Sequence, residues 1–493
     1  MHPLDLDGTT LRDMTRDVLD RLVPWLAQMP TLPVARLRGA RRAAVAVRSE
    51  WPEAGTAWRA LLPVLDRALS VSLQTTSPGY LGYIPGGGLP HSAVAELYAN
   101  LVNRYTGLWM PAPGFVQLEM DVLRWFCELV GYGPGSGGLL TTGGSLANLA
   151  AVVAAREDRL GEDRRSARIY VTAATHHSVA KAAHVAGFLP SQLVVIPVDA
   201  AHRMAVPALR DQIAADAARD LVPFLVVASA GTTAVGAVDP LADLADVAAA
   251  VGAWLHVDGA YGGFFQLTTR GRAAFAGLDR ADSIVLDPHK GLFLPYGTGC
   301  LVVKRLDTLR RAHTVASSYL PPPNPRDDAW DFADLGPELS RDARGLRVWL
   351  PLRMLGFGAF RHALDEKLDL ARRAADGVRA LPQVRLVSEP VLSVFAFRAE
   401  APGLSDAACD RWNRRWLSAV NQRGRVFLTG ATVWDPAIHR EIFVLRVAVL
   451  CFRTDAARIE ALLSDLRAAL PDSPPEVEDV VGDQAGDGVL GAP

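Results

Sequence analysis

The chain has 493 residues, 50% of them hydrophobic, enough to bury a large core and to fill two or three domains. Its net charge of −2, with basic residues scattered along the chain, leaves no basic stripe for a nucleic acid. No apolar run approaches the roughly 18 residues needed to span a bilayer, and the acidic, polar start "MHPLDLDGTTLRDMTRD" is unlike a signal peptide, so the sequence reads as cytoplasmic, with no membrane and no nucleic-acid partner.

In chain order, residues 1–85 form an N-terminal segment with helical stretches such as "TLRDMTRDVLDRLVPWLAQM", whose apolar stripe needs a partner surface. Residues 86–375 hold the main unit. From about residue 139 it repeats strand and helix, with seven short apolar runs: "LLTT", "RIYVT", "LVVIPV", "FLVVASA", "WLHVD", "SIVL" and "CLVV". The stretch "DPLADLADVAAAVGAW" is expected to be a helix with Asp239 as N-cap, Pro240 at the first position and Gly252 closing it. Buried strands alternating with helices imply an α/β fold with a largely parallel sheet, whose ligands sit at the carboxyl ends of the strands. Residues 376–471 change to mixed strands and helices, a smaller C-terminal α/β domain, and 472–493, with six acids and no base, read as a disordered tail. Cys127, Cys300, Cys409 and Cys451 stand far apart with no C-x-x-C pair, which argues against a metal site and a disulfide framework.

Three features carry chemistry. "GLLTTGGSLANLAAVVAAR" runs from a strand through Gly143, Gly144 and Ser145 into a helix expected to carry Leu146, Leu149, Val152 and Val153 on one side. Paired glycines, a hydroxyl and a helix N-terminus make an anion cradle, although a Gly-Gly-Ser turn is also a common way simply to enter a helix. In "WLHVDGAYGG", Asp258 ends a strand, where it either caps the next turn or pairs with a protonated ring nitrogen. In "SIVLDPHKG", Lys290 follows another strand; it is one of four lysines among 51 basic residues, and Lys181, Lys304 and Lys367 read as surface residues. A lysine amine at a strand end can form a Schiff base. Cradle, carboxylate and amine are the three anchors of pyridoxal 5'-phosphate: for its phosphate, its pyridinium nitrogen and its aldehyde.

Over roughly residues 70 to 455 the chain resembles the group II pyridoxal-phosphate-dependent amino acid decarboxylases, which include aromatic L-amino acid and glutamate decarboxylases. The motifs are "GYLGYIP", "TTGGSLANL", "THHSVAKA", "SAGTTAVGAVDP", "HVDGAYGG", "DPHK" and "VLRVAVLCFRT". The resemblance implies an aspartate-aminotransferase-like fold (PLP fold type I), a mostly parallel seven-stranded sheet with a smaller C-terminal domain, and a homodimer onto whose partner the N-terminal helices pack. It places the Schiff-base lysine on Lys290, the pyridinium carboxylate on Asp258, and the ring-stacking histidine on His176 rather than His177. Further cofactor contacts fall on Gly144, Ser145, Thr232 and His289. The family often has Asn where this chain has Asp287. The segment "ASSYLPPPNPRDDAWDFADLG" resembles the loop that carries the family's proton donor, here Tyr319.

The implied function is decarboxylation of an amino acid to its amine and CO2. A decarboxylation-dependent aldehyde synthase, another fold type I lyase or aminotransferase, and a silent cofactor-binding homologue are the alternatives. The stretch holding Tyr80 and Tyr83 lines the substrate side in relatives and offers no cation for a side-chain carboxylate, which favours an aromatic or apolar L-amino acid. Arg446 in "FVLRVAV" either meets the substrate α-carboxylate or makes an inter-domain ion pair.

Overall fold

The computed structural model describes residues 2, 4–315, 318 and 328–470; Tyr319 and the acidic stretch 472–493 lie outside the described residues. All seven expected strands form: β1 (Gly137–Thr141), β2 (Ala167–Thr172), β3 (Leu193–Ile196), β4 (Val222–Ser229), β5 (Trp254–Asp258), β6 (Ser283–Leu286) and β7 (Gly299–Val303). They make one sheet in the order β1-β7-β6-β5-β4-β2-β3. Only β7 runs antiparallel to its neighbours, β1 and β6; the other pairs are parallel. Because β7 reverses direction twice over, β1 points the same way as β6, so the carboxyl ends of β1, β2, β4, β5 and β6 open on one edge. β5, β6 and β7 are buried on both faces, as a helix-covered sheet requires.

Two local expectations are corrected. In the helix Gly144–Arg159 the buried stripe is Ala147, Ala150, Ala151, Ala154 and Ala155 with Val152, while Leu146, Leu149 and Val153 are only partly buried. Alanine lets the helix axis approach the sheet more closely than leucine would. Asp239 does not cap the helix Leu241–Val251, although Gly252 does close it, at φ 68°. The Asp239 carboxylate instead accepts the backbone N–H groups of Ser229 and Met204, each at 2.7 Å, tying the end of β4 to the segment after β3. Burial pushes this carboxyl up to about 6 against the pull of those two bonds.

After a long helix, Gly345–Arg379, bent at Gly356 (φ 71°), come β8 (Val384–Ser388), β9 (Val394–Ala399), β10 (Thr429–Asp435) and β11 (Arg440–Ala448). They form a four-stranded antiparallel sheet in the order β10-β11-β9-β8. One face buries Phe395, Phe397 and Leu445 against Trp412, Trp416 and Leu462 of the helices Asp406–Gln422 and Ala456–Ala469. The other face packs Ala396, Ile442 and Val444 on Val235 and Ala237 of the loop after β4, which docks this smaller unit at the edge where the strands of the large sheet end. Lys367, expected at the surface, is fully buried, and its Nζ donates to the Thr454 carbonyl and to Glu366, joining the long helix to the C-terminal segment. The N-terminal helix Gly8–Gln28 buries no residue at all. Among the described residues, no helix is long and apolar enough to cross a membrane.

A buried ion pair fixes the strand that leads into the glycine turn. Arg341 and Glu119 meet at 2.6 Å with both side chains 1% exposed. The same guanidinium donates to the Leu140 carbonyl at 3.0 Å, and the Leu140 N–H donates to Glu119 at 3.3 Å. Removing one partner strands a charge in the core. Arg341→Met is expected to lose about 3–5 kcal/mol of stability in urea unfolding, and adding Glu119→Met to recover much of it.

Candidate active site

The strand ends enclose a cavity of about 260 Å³, lined by Gly143, Gly144, Ser145, His176, Thr232, Asp258, Asp287, His289 and Lys290 among others. They come from five segments: the glycines and Ser145 follow β1, His176 follows β2, Thr232 follows β4, Asp258 ends β5, and the four residues from Asp287 to Lys290 follow β6. Every cofactor-site residue expected from the sequence therefore meets in one place. A ligand cleft is ordinarily roughly 300–1,000 Å³, so this cavity suits a compact group.

Glycine is needed where the cradle is tightest. A Cβ on Gly299 of β7 would stand 2.5 Å from the Gly143 backbone, and one on Gly144 would stand 3.0 Å from Asp287 Oδ2. The 16-residue helix starting at Gly144 thus turns its unpaired N–H groups towards the cavity, a ready anion site. Lys290 Nζ lies 3.0 Å from Asp287 Oδ2, while Asp287 Oδ1 is buried with no partner. His289 Nδ1 lies 2.6 Å from the Thr298 carbonyl, which can only accept, so the ring carries its proton there. Burial lowers the pKa of His289 and of His176, favouring both as neutral rings.

Asp258, 8% exposed, accepts from the Ala260 N–H at 3.1 Å and from Asn148 Nδ2 at 3.1 Å. Asn148 also donates to Ser178 Oγ at 2.8 Å, and Ser178 Oγ lies 2.7 Å from His176 Nδ1. Behind Asn148, its Oδ1 is 2.8 Å from His256 Nε2, and His256 Nδ1 is 2.7 Å from Ser283 Oγ, which takes the Trp254 indole N–H at 2.8 Å. Sequence reasoning missed Asn148, Ser178 and His256. Two signals mark Asn148 and His256: an amide interrupting an alanine stripe, and a histidine two residues before Asp258, hence on the same face of β5.

The expected substrate residues lie apart. Tyr80, Tyr83 and Arg446 are not among the residues lining the cavity. Tyr80 is buried, bridged to Phe427 and stacked on its ring at 5.8 Å, while Tyr83 is exposed at φ 50°. Arg446, 3% exposed, donates to the carbonyls of Tyr83 at 3.0 Å and Thr233 at 2.6 Å and to Thr429 Oγ at 2.9 Å. Among the described residues no carboxylate pairs with it, so the ion-pair reading is set aside, and its Nε is buried without a partner. Burial lowers its pKa to about 10. Thr233, whose carbonyl it holds, does line the cavity.

A family model for the pyridoxal-dependent decarboxylase conserved domain matches residues 43–400. The chain is 30% identical over 468 residues to an aromatic-L-amino-acid decarboxylase of Bacillus atrophaeus, covering 94% of this chain and 96% of that one. It is 33% identical over 404 residues to an L-2,4-diaminobutyrate decarboxylase of Rhizobium meliloti, covering 80% and 79% respectively. Its fold matches the crystal structure of Catharanthus roseus tryptophan decarboxylase in complex with L-tryptophan, with TM-score 0.86 and 24% identity over 95% of this chain and 100% of that one. The chain belongs to the pyridoxal-dependent decarboxylase family and has the type I fold of pyridoxal-phosphate enzymes. It is a pyridoxal-phosphate-dependent carboxy-lyase acting on an amino acid. The residues present fit that cofactor: a helix N-terminus for an anion, a buried carboxylate for a ring nitrogen and a lysine amine open one edge of the same cavity.

His256 gives the site a pH signature. Burial depresses it from 6.5 to about 4, so between those values the unfolded chain takes up a proton that the folded one refuses. Its contribution is present above pH 6.5 and is lost as pH falls towards 4. Urea unfolding at pH 5 and pH 7 is expected to differ by about 2 kcal/mol more in the parent than in His256→Gln.

Proposed function

We propose that the protein decarboxylates an aromatic or apolar L-amino acid to the corresponding amine, as a cytoplasmic homodimer. The bound cofactor supplies an electron sink for the pair released when the carboxylate leaves the α-carbon. In this reading the N–H groups at Gly144 and Ser145, with Thr232 and His289, would hold the phosphate; Asp258 would keep a proton on the ring nitrogen; His176 would face the ring; and Lys290 would supply the amine for the aldehyde. Asp287, 3.0 Å from Lys290 Nζ, keeps the ammonium in place beforehand. Arg446, a buried cation without an acid, docks the substrate α-carboxylate, and Tyr80 and Tyr83 shape the approach to it. Tyr319 delivers the proton to the α-carbon.

The observation that carries the substrate class is the charge of the cavity wall. Lys290 is its only Lys or Arg, and Asp258 and Asp287 its only carboxylates, among the described residues. Each already has a partner or a task, which leaves no free charge for the side chain of glutamate or of 2,4-diaminobutyrate. The relatives named for aromatic substrates support the same reading, as does the neighbour bound to L-tryptophan. A second copy of the chain is supported by an apolar stripe at i, i+3, i+4 and i+7, Val94, Leu97, Tyr98 and Leu101, standing exposed on the helix Pro90–Val102. The four cysteines are all free and buried, in keeping with a reducing compartment. The division at residues 85, 375 and 471 is likewise proposed, the first segment packing on the partner.

A panel of L-amino acids assayed for CO2 release tests the substrate class. Phenylalanine, tyrosine, tryptophan or an aliphatic residue is expected to be turned over fastest, and a preference for glutamate or diaminobutyrate would overturn it. With the best substrate Lys290→Ala is expected to lose nearly all turnover, and borohydride to fix the cofactor on Lys290 in the parent.

Tyr319→Phe removes one hydroxyl and keeps the ring. CO2 release is expected to continue more slowly, with the product moving from amine towards aldehyde, ammonia and hydrogen peroxide as molecular oxygen reaches the unprotonated α-carbon. Amine at the parental rate, without peroxide, would place the proton donor elsewhere.

A further inference from the structure

The buried polar chain behind the cavity has only one consistent direction. Asp258 Oδ2, 3.1 Å from Asn148, can be satisfied there only by an N–H, so the amide presents Nδ2 to it and Oδ1 to His256. Turning the amide over would set oxygen against carboxylate at the same distance. His256 must then donate from Nε2, and a neutral imidazole has a single N–H, so its Nδ1 accepts the Ser283 hydroxyl proton at 2.7 Å. Ser283 is free to donate because the Trp254 indole N–H, which can only donate, fills one of its lone pairs at 2.8 Å. The indole thus anchors the far end.

The same amide works towards the cavity. Its second N–H goes to Ser178 Oγ at 2.8 Å, and the Ser178 hydroxyl proton goes on to His176 Nδ1 at 2.7 Å. The Ser178 backbone N–H points to that nitrogen too, at 3.3 Å. With two donors on Nδ1, the His176 proton sits on Nε2, for which the described residues offer no hydrogen-bond partner. Asn148, Ser178, His256 and Ser283 are each at most 2% exposed, so water does not compete for these bonds.

We propose that Asn148 is a positioning residue: through one amide it orients the Asp258 carboxylate and, by way of Ser178, holds His176 in the Nε2–H form, so that the imidazole meets the cavity with a proton rather than a lone pair. The proposal rests on the roles given above to Asp258 and His176. It couples Asp258 to His176 from the cavity's own wall, where Asn148 and Ser178 stand between them. Asn148→Ala breaks both arms, whereas Ser178→Ala breaks only the arm to His176.

The two variants separate positioning from plain packing. In apoprotein with ¹⁵N-labelled histidine, His176, assigned by its loss in His176→Gln, is expected to show the Nε2–H tautomer in the parent and a tautomer mixture in both variants. Fluorescence titration of the same apoproteins with pyridoxal phosphate is expected to show affinity falling about tenfold or more in Asn148→Ala, the loss of a hydrogen bond to a charged group, and staying near the parental value in Ser178→Ala. An unchanged His176 signal in Ser178→Ala overturns the proposal, as does unchanged affinity in a folded Asn148→Ala. Should Asn148→Ala not fold, Asn148→Ser, which keeps one donor, takes its place with the same two readouts. A parent that took up no pyridoxal phosphate on Lys290 would instead overturn the site assignment, while the tautomer signal, read without cofactor, would still judge Asn148.

Discussion

The site depends on how closely one helix lies on the sheet. Alanines at 147, 150, 151, 154 and 155 form the contact surface of the helix Gly144–Arg159, so its N-terminal turn rests directly on the strand ends. At that distance a side chain as short as Asn148 reaches Asp258 on β5. A larger residue on this face would lift the helix, open the glycine cradle and break the amide bridge together. The cradle, the Asp258 carboxylate and the placement of His176 are therefore consequences of one packing distance rather than separate devices.

Charge is handled in two ways around the cavity. Asp287 and Lys290 are paired, and the pair is only partly sheltered, with the lysine 21% exposed and free to react. Arg446 is held differently, by two carbonyl oxygens and the Thr429 hydroxyl with no acid pairing among the described residues, and burial lowers its pKa to about 10. Dipoles hold a cation in place without neutralising it, so a positive charge stays behind Thr233 of the cavity wall. The smaller sheet brings Arg446 there by packing Val444 and Ile442 on the loop that follows β4.

The buried polar chain from Trp254 to His176 shows why such a core keeps polar groups at all. From the indole to His176 Nδ1 each bond fixes the sense of the next, so the arrangement has one state instead of several. Asp239 plays a comparable part under the neighbouring strand, where a carboxylate read from sequence as a helix cap serves two backbone N–H groups from other segments.

The sequence alone determined the seven strands, because runs such as "FLVVASA" are apolar on both faces and bounded by turn residues, and local pattern suffices for that. It also determined which residues would meet at one cavity: Gly144 and Lys290 stand just past a strand and Asp258 ends one, and a parallel sheet gathers strand ends on one edge. What only the tertiary structure decided is what depends on contacts between distant segments. Lys367 looked exposed in a charged helix and is buried because the C-terminal segment covers it. Tyr80 packs on Phe427, 347 positions away, rather than in the cavity wall, and Arg446 meets carbonyls instead of an acid. Asn148, Ser178 and His256 could not be paired with one another from sequence, since a hydrogen bond's meaning lies in its partner, and these partners stand 30 to 110 residues apart. Periodicity records which way a side chain faces; only the folded chain records what it faces.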